Sequence, residues 1–187
     1  MTVSTADRLR ETAQRLIQTH GYNGFSFRDL ATEIGIKSAS IHYHFPTKGD
    51  LARDVAQQYR KKFADRLEQI LQDHDDLPAR LAAYSECFSE TLRNGNRLCL
   101  CGMLASESDT LPPKVHDEAR LFFAEQVAWL ELVIADDGPQ SDETRQFAAT
   151  YLSALEGAMM IARATGETDR IARTSAQLID MHLKGRN

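Results

Sequence analysis

From Phe25 to Leu51 the chain reads FSFRDLATEIGIKSASIHYHFPTKGDL: two short helical patterns set apart by a glycine and closed off by a proline, a combination few folds accommodate. In the first pattern Phe27, Leu30, Ala31 and Ile34 recur at helical offsets, while Arg28, Asp29, Thr32 and Glu33 fall on the opposite side. One face is to be buried and the other wetted. Gly35 stands where a helix ends in a left-handed residue, a conformation glycine adopts without a side-chain clash, and Ile36 folds back onto the helix just finished. The second pattern, Ser38 to Phe45, turns Ile41 and Phe45 inward. It leaves Lys37, Ser38, Ser40, His42, Tyr43 and His44 as an outward set of hydrogen-bond donors. Pro46 cannot continue a helix, and Thr47 followed by Asp50 resembles a capping box with Asp in place of Glu or Gln, which predicts a new helix from Lys48. Helix, glycine turn and polar helix in this order make a helix-turn-helix, whose second helix suits a major groove.

Gly-Phe-Ser-Phe-Arg-Asp-Leu-Ala, then Ile-Gly-Ile-Lys-Ser-Ala-Ser-Ile-His-Tyr-His-Phe-Pro-Thr-Lys, resembles the DNA-binding domain of the TetR (tetracycline-repressor-like) transcriptional regulators. The resemblance runs from about Leu9 to Leu51; beyond it, only length and helical content are similar. It implies that Ser26 and Arg28 grip phosphate at the start of their helix, where backbone amides also favour an anion. Lys37, Ser38 and Ser40 point into the major groove, and Tyr43 and Lys48 contact the DNA backbone. His42 stands where the family usually carries Tyr and serves part of that role, and His44 belongs to the same outward set. The family often has Ser or Thr where this chain has Lys37. Ser38 is therefore expected to cap in its place, with the helix starting one residue later.

The net charge of −5 conceals an asymmetry: residues 1–62 hold 10 Lys or Arg against 6 Asp or Glu, and residues 63–187 hold 12 against 21. A basic head on an acidic body fits phosphate contact by the head, with the body repelled from the duplex. No run approaches the ~18 apolar residues of a membrane span. MTVSTADRLR has no apolar signal core, so a cytoplasmic protein without membrane contact is expected. Cys87, Cys99 and Cys101 are too few and too clustered for a disulfide framework. The scattered His residues predict no metal site, and nothing calls for a cofactor.

The rest of the chain reads as helix throughout. Leu9, Ala13, Leu16 and Ile17 mark a first helix ended by Gly21, with Tyr22 and Phe25 plugging the gap behind it. Lys48 to about Asp73 is one long helix or two collinear ones. Pro78 marks a turn before a helix carrying Leu81, Tyr84, Cys87, Phe88 and Leu92, and Leu98 to Ser108 is a short helix or bend. Helices of roughly Pro113 to Ala135 and Asp142 to Ala164 follow, split by DDGPQS, and a last one runs from about Thr168 to Lys184. The expected fold is all-α: a helix-turn-helix domain over residues 1–47 and a helical effector-binding and dimerisation domain over 48–187.

One short recognition helix reads few base pairs, so a homodimer on a pseudo-palindromic double-stranded operator is expected. Candidates for the contact are Phe147, Tyr151, Leu152, Leu155, Ala158, Met159 and Ala162 on one helix and Ile171, Leu178, Ile179 and His182 on the last. A small-molecule effector is expected in the body, with Tyr59, Phe63, Tyr84, Phe88, Met103, Phe122, Trp129 and Tyr151 as candidate lining. An alternative sensor is the cysteine set, if Arg93 or Arg97 lowers a thiol pKa. No phosphate loop, nucleophile elbow or His/Glu metal signature supports an enzyme. A helical interaction module without DNA binding is the remaining rival, and it leaves the Lys37–His44 surface without a purpose. The reading is a DNA-binding regulator, a repressor released by its effector.

Overall fold

The computed structural model describes residues 4–135 and 141–185. Among them the elements run α1 Thr5–His20, α2 Phe27–Ile34, α3 Ser38–His44, α4 Lys48–Asp73, α5 Leu77–Arg93, α6 Leu100–Ala105, a 3-10 turn Ser108–Thr110, α7 Pro113–Ile134, α8 Asp142–Thr165 and α9 Arg170–Gly185. No strand occurs among the described residues. The expected DDGPQS turn lies, from Asp136 to Gln140, outside them.

Two boundaries differ from expectation. Lys37 is the residue before α3, extended, and its carbonyl accepts from Ser40 N at 2.9 Å, so the helix starts at Ser38 rather than one residue later and no side chain caps it. The turn, not a cap, sets this start: Gly35 is left-handed (φ 76°, ψ 39°), and the amides of Gly35 and Ile36 both donate to the Ala31 carbonyl at 3.0 Å. Pro78 lies within the first turn of α5, where its missing N–H costs nothing, and Asp76 accepts from Ala79 N at 2.8 Å as the cap.

Packing divides the chain into two compact units, neither of them continuous in sequence. The head unit holds the residues up to Lys62 together with Leu100–Phe122; the body unit holds Phe63–Cys99 and everything from Phe123 on. These units follow packing rather than a boundary at residue 47, because α4 buries Leu51, Ala52, Val55 and Ala56 with the head. The core of the head is the expected one: Leu9, Leu16, Ile17, Leu30, Ile34, Ile41 and Phe45 are buried, and so are Tyr22 and Phe25.

The 100–122 segment is tied to the head by ions and amides. Glu107 Oε2 accepts from Asn23 N at 2.9 Å and Asn23 Nδ2 at 3.0 Å, and Thr110 Oγ1 accepts from Asn23 Nδ2 at 2.8 Å. Lys114 pairs with Asp50, and Glu118 with Arg60 at 3.3 Å and Arg53 at 3.8 Å. Gly21 makes the approach possible: at φ 83° it favours glycine, and a Cβ there would overlap Glu107 Oε1.

In the body unit α5, α8 and α9 pack on one another. The buried Tyr151 hydroxyl joins all three, donating to the Leu81 carbonyl at 2.8 Å and lying 2.6 Å from Ser175 Oγ. Much of the expected dimer face is taken up inside the unit, while Phe147, Leu178, Ile179 and His182 stay half-exposed. Tyr151, Leu152, Leu155, Ala158, Met159, Ala162 and Ile171 are buried within the chain's own unit, and Phe147 stacks on His182 with centroids 4.1 Å apart. The large apolar side chains left exposed are others: Met160 (57%), Ile161, Met181 (60%), Leu183 and Leu132.

Candidate nucleic-acid interface and effector core

The candidate nucleic-acid face of the head is built by α2 and α3. Ile41 at 0% exposure and Phe45 at 6% anchor α3, which leaves Lys37, Ser38 and Ser40 exposed and Tyr43 86% exposed. A tyrosine ring so open to water buries little of its apolar area. His42 is also exposed, and its position is fixed: the ring meets Phe27 edge-to-face at 5.1 Å, and Nδ1 lies 3.1 Å from the Pro46 carbonyl, to which it donates. His44 is half-buried, its ring edge-on to Tyr43 at 5.2 Å.

Ser26 and Lys48 are occupied internally. Ser26 caps α2: its Oγ donates to Asp29 Oδ2 at 2.6 Å and accepts from Asp29 N, while Asp29 takes the Ser26 amide. These bonds hold the Asp29 carboxyl below its ordinary range. Thr47 and Asp50 repeat the box at the start of α4, as the sequence indicated. Lys48 turns inward. Its Nζ donates to the Phe25 carbonyl at 2.5 Å and lies 4.4 and 4.5 Å from the ring centroids of Tyr22 and Phe25. Burial lowers its pKa, with Glu107 and Asp29 acting in the opposite sense. Arg28 and Lys37 are exposed and carry the positive charge of this face outward.

The candidate effector residues separate into two groups. Tyr59, Met103 and Phe122 belong to the head unit, with Tyr59 and Phe122 rings 5.6 Å apart. In the body unit Tyr84 is the hub: Trp129 lies nearly parallel at 5.4 Å, with Phe88 at 5.4 Å, Phe63 at 6.1 Å and Tyr151 at 6.3 Å. The Tyr84 hydroxyl donates to Gln126 Oε1 at 3.2 Å. Trp129 Nε1 and Glu156 Oε1 are among the buried polar atoms of this unit that meet no hydrogen-bond partner. Burial pushes the Glu156 carboxyl up to about 7, and the Cys99 thiol, its hydrogen-bond partner, acts the other way.

The thiol-sensor alternative loses its footing. Cys87, Cys99 and Cys101 are all buried, and burial raises the Cys87 pKa against the smaller pull of Arg66. Arg93, expected to activate a thiol, is ion-paired with Glu86. A buried thiol with a raised pKa is a poor nucleophile. No cluster of three or more metal-ligating side chains occurs among the described residues, and no helix among them is long and apolar enough to cross a membrane.

Residues 9–55 match the family model for bacterial regulatory proteins of the tetR family, and residues 78–177 match that for the C-terminal domain of LmrA/YxaF-like transcriptional regulators. The crystal structure of a TetR transcriptional regulator from Legionella pneumophila is 33% identical, superposes with a TM-score of 0.91, and covers 97% of this chain and 99% of its own. The chain belongs to the TetR family of transcriptional regulators. A TetR-family regulator from Agrobacterium tumefaciens is 30% identical over 94% of this chain and 96% of its own, with a TM-score of 0.88. The Bacillus subtilis regulator LmrA is 22% identical over 94% of this chain and 95% of its own length. IcaR of Staphylococcus epidermidis, a negative transcriptional regulator of a biofilm operon, is 31% identical over 70 residues, 37% of this chain and 36% of its own.

Set on the TetR fold, sequence reasoning missed Asn23, Glu107, Gln126 and Glu156. Glu156 had a legible signal, since it is the one charged residue between Gln146 and Ala162 in a helix otherwise apolar or neutral. A charge alone on such a stretch is either exposed or functional. Glu107 had none, because its partner Asn23 is 84 residues away.

Proposed function

We propose that the protein is a homodimeric repressor that reads a pseudo-palindromic operator with α3 and leaves it when a small molecule occupies the aromatic core of the body unit. The observation that carries this is the α3 face: Lys37, Ser38, Ser40 and an almost fully exposed Tyr43 on a helix held rigidly by Ile41 and Phe45. Lys37 and the two serines read base edges; Tyr43 and Arg28 hold the backbone. Ser26 and Lys48 act indirectly, fixing α2 and the start of α4. IcaR, alike over the head, is a negative regulator, which favours repression. Acting on chromosomal DNA, the protein works in the cytoplasm.

Exposed Met160 and Ile161 on α8 and Met181 and Leu183 on α9 supply the dimer contact. α4 and α7 each give residues to both units, so a change in body packing has two continuous helices along which to reach the head.

The deciding experiment is salt-dependent binding to the DNA upstream of the protein's own coding sequence, followed by binding-site selection. Tyr43→Ala should weaken all sequences alike, and Lys37→Ala should also relax preference at one position. A Lys37→Ala protein that keeps its full sequence ranking refutes the base-reading role; absence of any salt-dependent binding refutes the DNA reading itself. Met160→Arg with Met181→Arg should yield monomers in sedimentation, and a persistent dimer removes those residues from the contact.

A further inference from the structure

The His42 ring is held in place from two directions. Its Nδ1 lies 3.1 Å from the Pro46 carbonyl oxygen, and the ring meets that of Phe27 edge-to-face with centroids 5.1 Å apart. A carbonyl oxygen only accepts, so Nδ1 carries a hydrogen. The other nitrogen, Nε2, belongs to an exposed side chain on the same helix as Ser40 and Tyr43, and whether it is protonated decides what the ring can bind. Without a hydrogen Nε2 is an acceptor, and a DNA phosphate, which offers only acceptor oxygens, is closed to it. With one, the ring is an imidazolium, a donor at both nitrogens and positively charged.

The charged groups around the ring set when that proton is held. On α2 the residue after Phe27 is the exposed Arg28, and Asp29 is engaged in the Ser26 cap. At the start of α4 Lys48 turns inward to the Phe25 carbonyl, Asp50 is held by Thr47 and Lys114, and Asp54 by Arg10. On α3 and its entry lie Tyr43, His44, edge-on to Tyr43, and the exposed Lys37. Each of these carboxylates is committed to another group, whereas Arg28 and Lys37 are exposed cations. The free head therefore disfavours a further positive charge on this face, and a bound phosphate favours it. Resting on the reading of α3 as the operator-binding helix, we propose that His42 is a phosphate contact made as an imidazolium. Nδ1–H stays on the Pro46 carbonyl, Nε2–H is donated to a phosphate oxygen, and each head takes up a proton from solvent as it seats. Lower pH tightens the operator complex, through a residue separate from the base readers Lys37, Ser38 and Ser40.

Calorimetric titration of the protein with an operator duplex from site selection tests this, run at about pH 7 in PIPES and in imidazole, buffers of unlike ionisation heat. The two enthalpies should differ by the buffer heat of a proton per head. Log affinity should decline from about pH 6 to about pH 8, by up to about one unit per pH unit per head, because the bound state holds a proton that the free state releases. The salt slope should become shallower over the same range by up to about 0.9 per head. His42→Gln, an exposed substitution that still offers a donor to the Pro46 carbonyl and does not titrate, should keep the melting temperature and remove that share of the proton uptake. Equal enthalpies in the two buffers, or the same uptake in wild type and His42→Gln, overturns the proposal. So does a His42→Gln protein that changes its base ranking with its proton uptake unaltered, because the ring then acts as a neutral acceptor for a base amino group. Salt-dependent binding without proton linkage refutes the imidazolium contact and leaves the α3 reading standing; no salt-dependent binding at any pH refutes both.

Discussion

Lys48→Met separates two roles that the same residue type plays in a DNA-binding head. In the structure the ammonium donates to the Phe25 carbonyl and lies over two rings, so its loss removes one charge-assisted hydrogen bond and two cation–π contacts. These are worth about 1.5–3 kcal/mol and about 0.5–1 kcal/mol each. Against this stands the desolvation that lowers the lysine's pKa, which methionine does not suffer while keeping the apolar stem. The net expectation is a loss of about 1–2 kcal/mol, a fall in melting temperature of about 2–8 °C for a chain of this size. DNA affinity should fall only as far as the loosened α2–α4 junction allows. The slope of log affinity against log salt, followed by fluorescence anisotropy from about 50 to about 200 mM salt, should not change. Arg28→Met is the contrasting variant: stability nearly intact, slope reduced by about 0.9 per protomer. If Lys48→Met instead keeps its melting temperature and loses that slope, the inward assignment is wrong and the residue holds phosphate.

Gly21→Ala should cost about 1–3 kcal/mol from the positive φ alone, plus the displacement of Glu107 that frees Asn23. Adding Glu107→Ala should recover the steric part only, so strict additivity in a denaturant double-mutant cycle refutes the close approach. Tyr151→Phe should lower stability by about 1–2 kcal/mol in urea melts, because Ser175 and the Leu81 carbonyl lose a buried partner; an unchanged midpoint counts against the bridge. The Glu156 carboxyl, raised from 4.5 to about 7, gives stability the following pH profile: full below about 4.5, declining up to about 7, flat above, because the folded state holds a proton the unfolded chain has released. The decline amounts to at most about 3 kcal/mol, and Glu156→Gln should abolish it. Parallel profiles for the two proteins refute the burial of that carboxyl.

Local chemistry made the helical skeleton readable. Gly35, Thr47 with Asp50 and the period of α1 to α4 act within a few residues of where they stand, and the structure follows them. Lys48 shows where such reading stops: its exposed-looking position in the pattern gives no sign that Tyr22 and Phe25 wait behind it. The burial of most of the expected dimer face has a related reason. α8 is apolar on more than one side, and period alone does not say which side α5 and α9 cover: Tyr151 and Leu155 turn inward, and Met160 and Ile161 are left exposed. The cysteines are buried, and burial, not spacing, sets thiol reactivity. In the aromatic core, Tyr84 and Trp129 were legible as large rings at helical spacing, but the orphaned Nε1 and Oε1 depend on what neighbouring helices withhold.

The head's discontinuity bears on how the protein is made. Asn23, Asp50 and Arg60 find Glu107, Thr110, Lys114 and Glu118 only after the chain has been synthesised nearly to Phe122. A nascent chain bearing every DNA-reading residue is therefore still short of the contacts that brace its first two turns. By the time those contacts close, Phe63, Tyr84 and Phe88 of the aromatic core have been made, while Trp129 and Tyr151 have not. Synthesis order thus delays a fully braced head until all of α5 and α6 has been made.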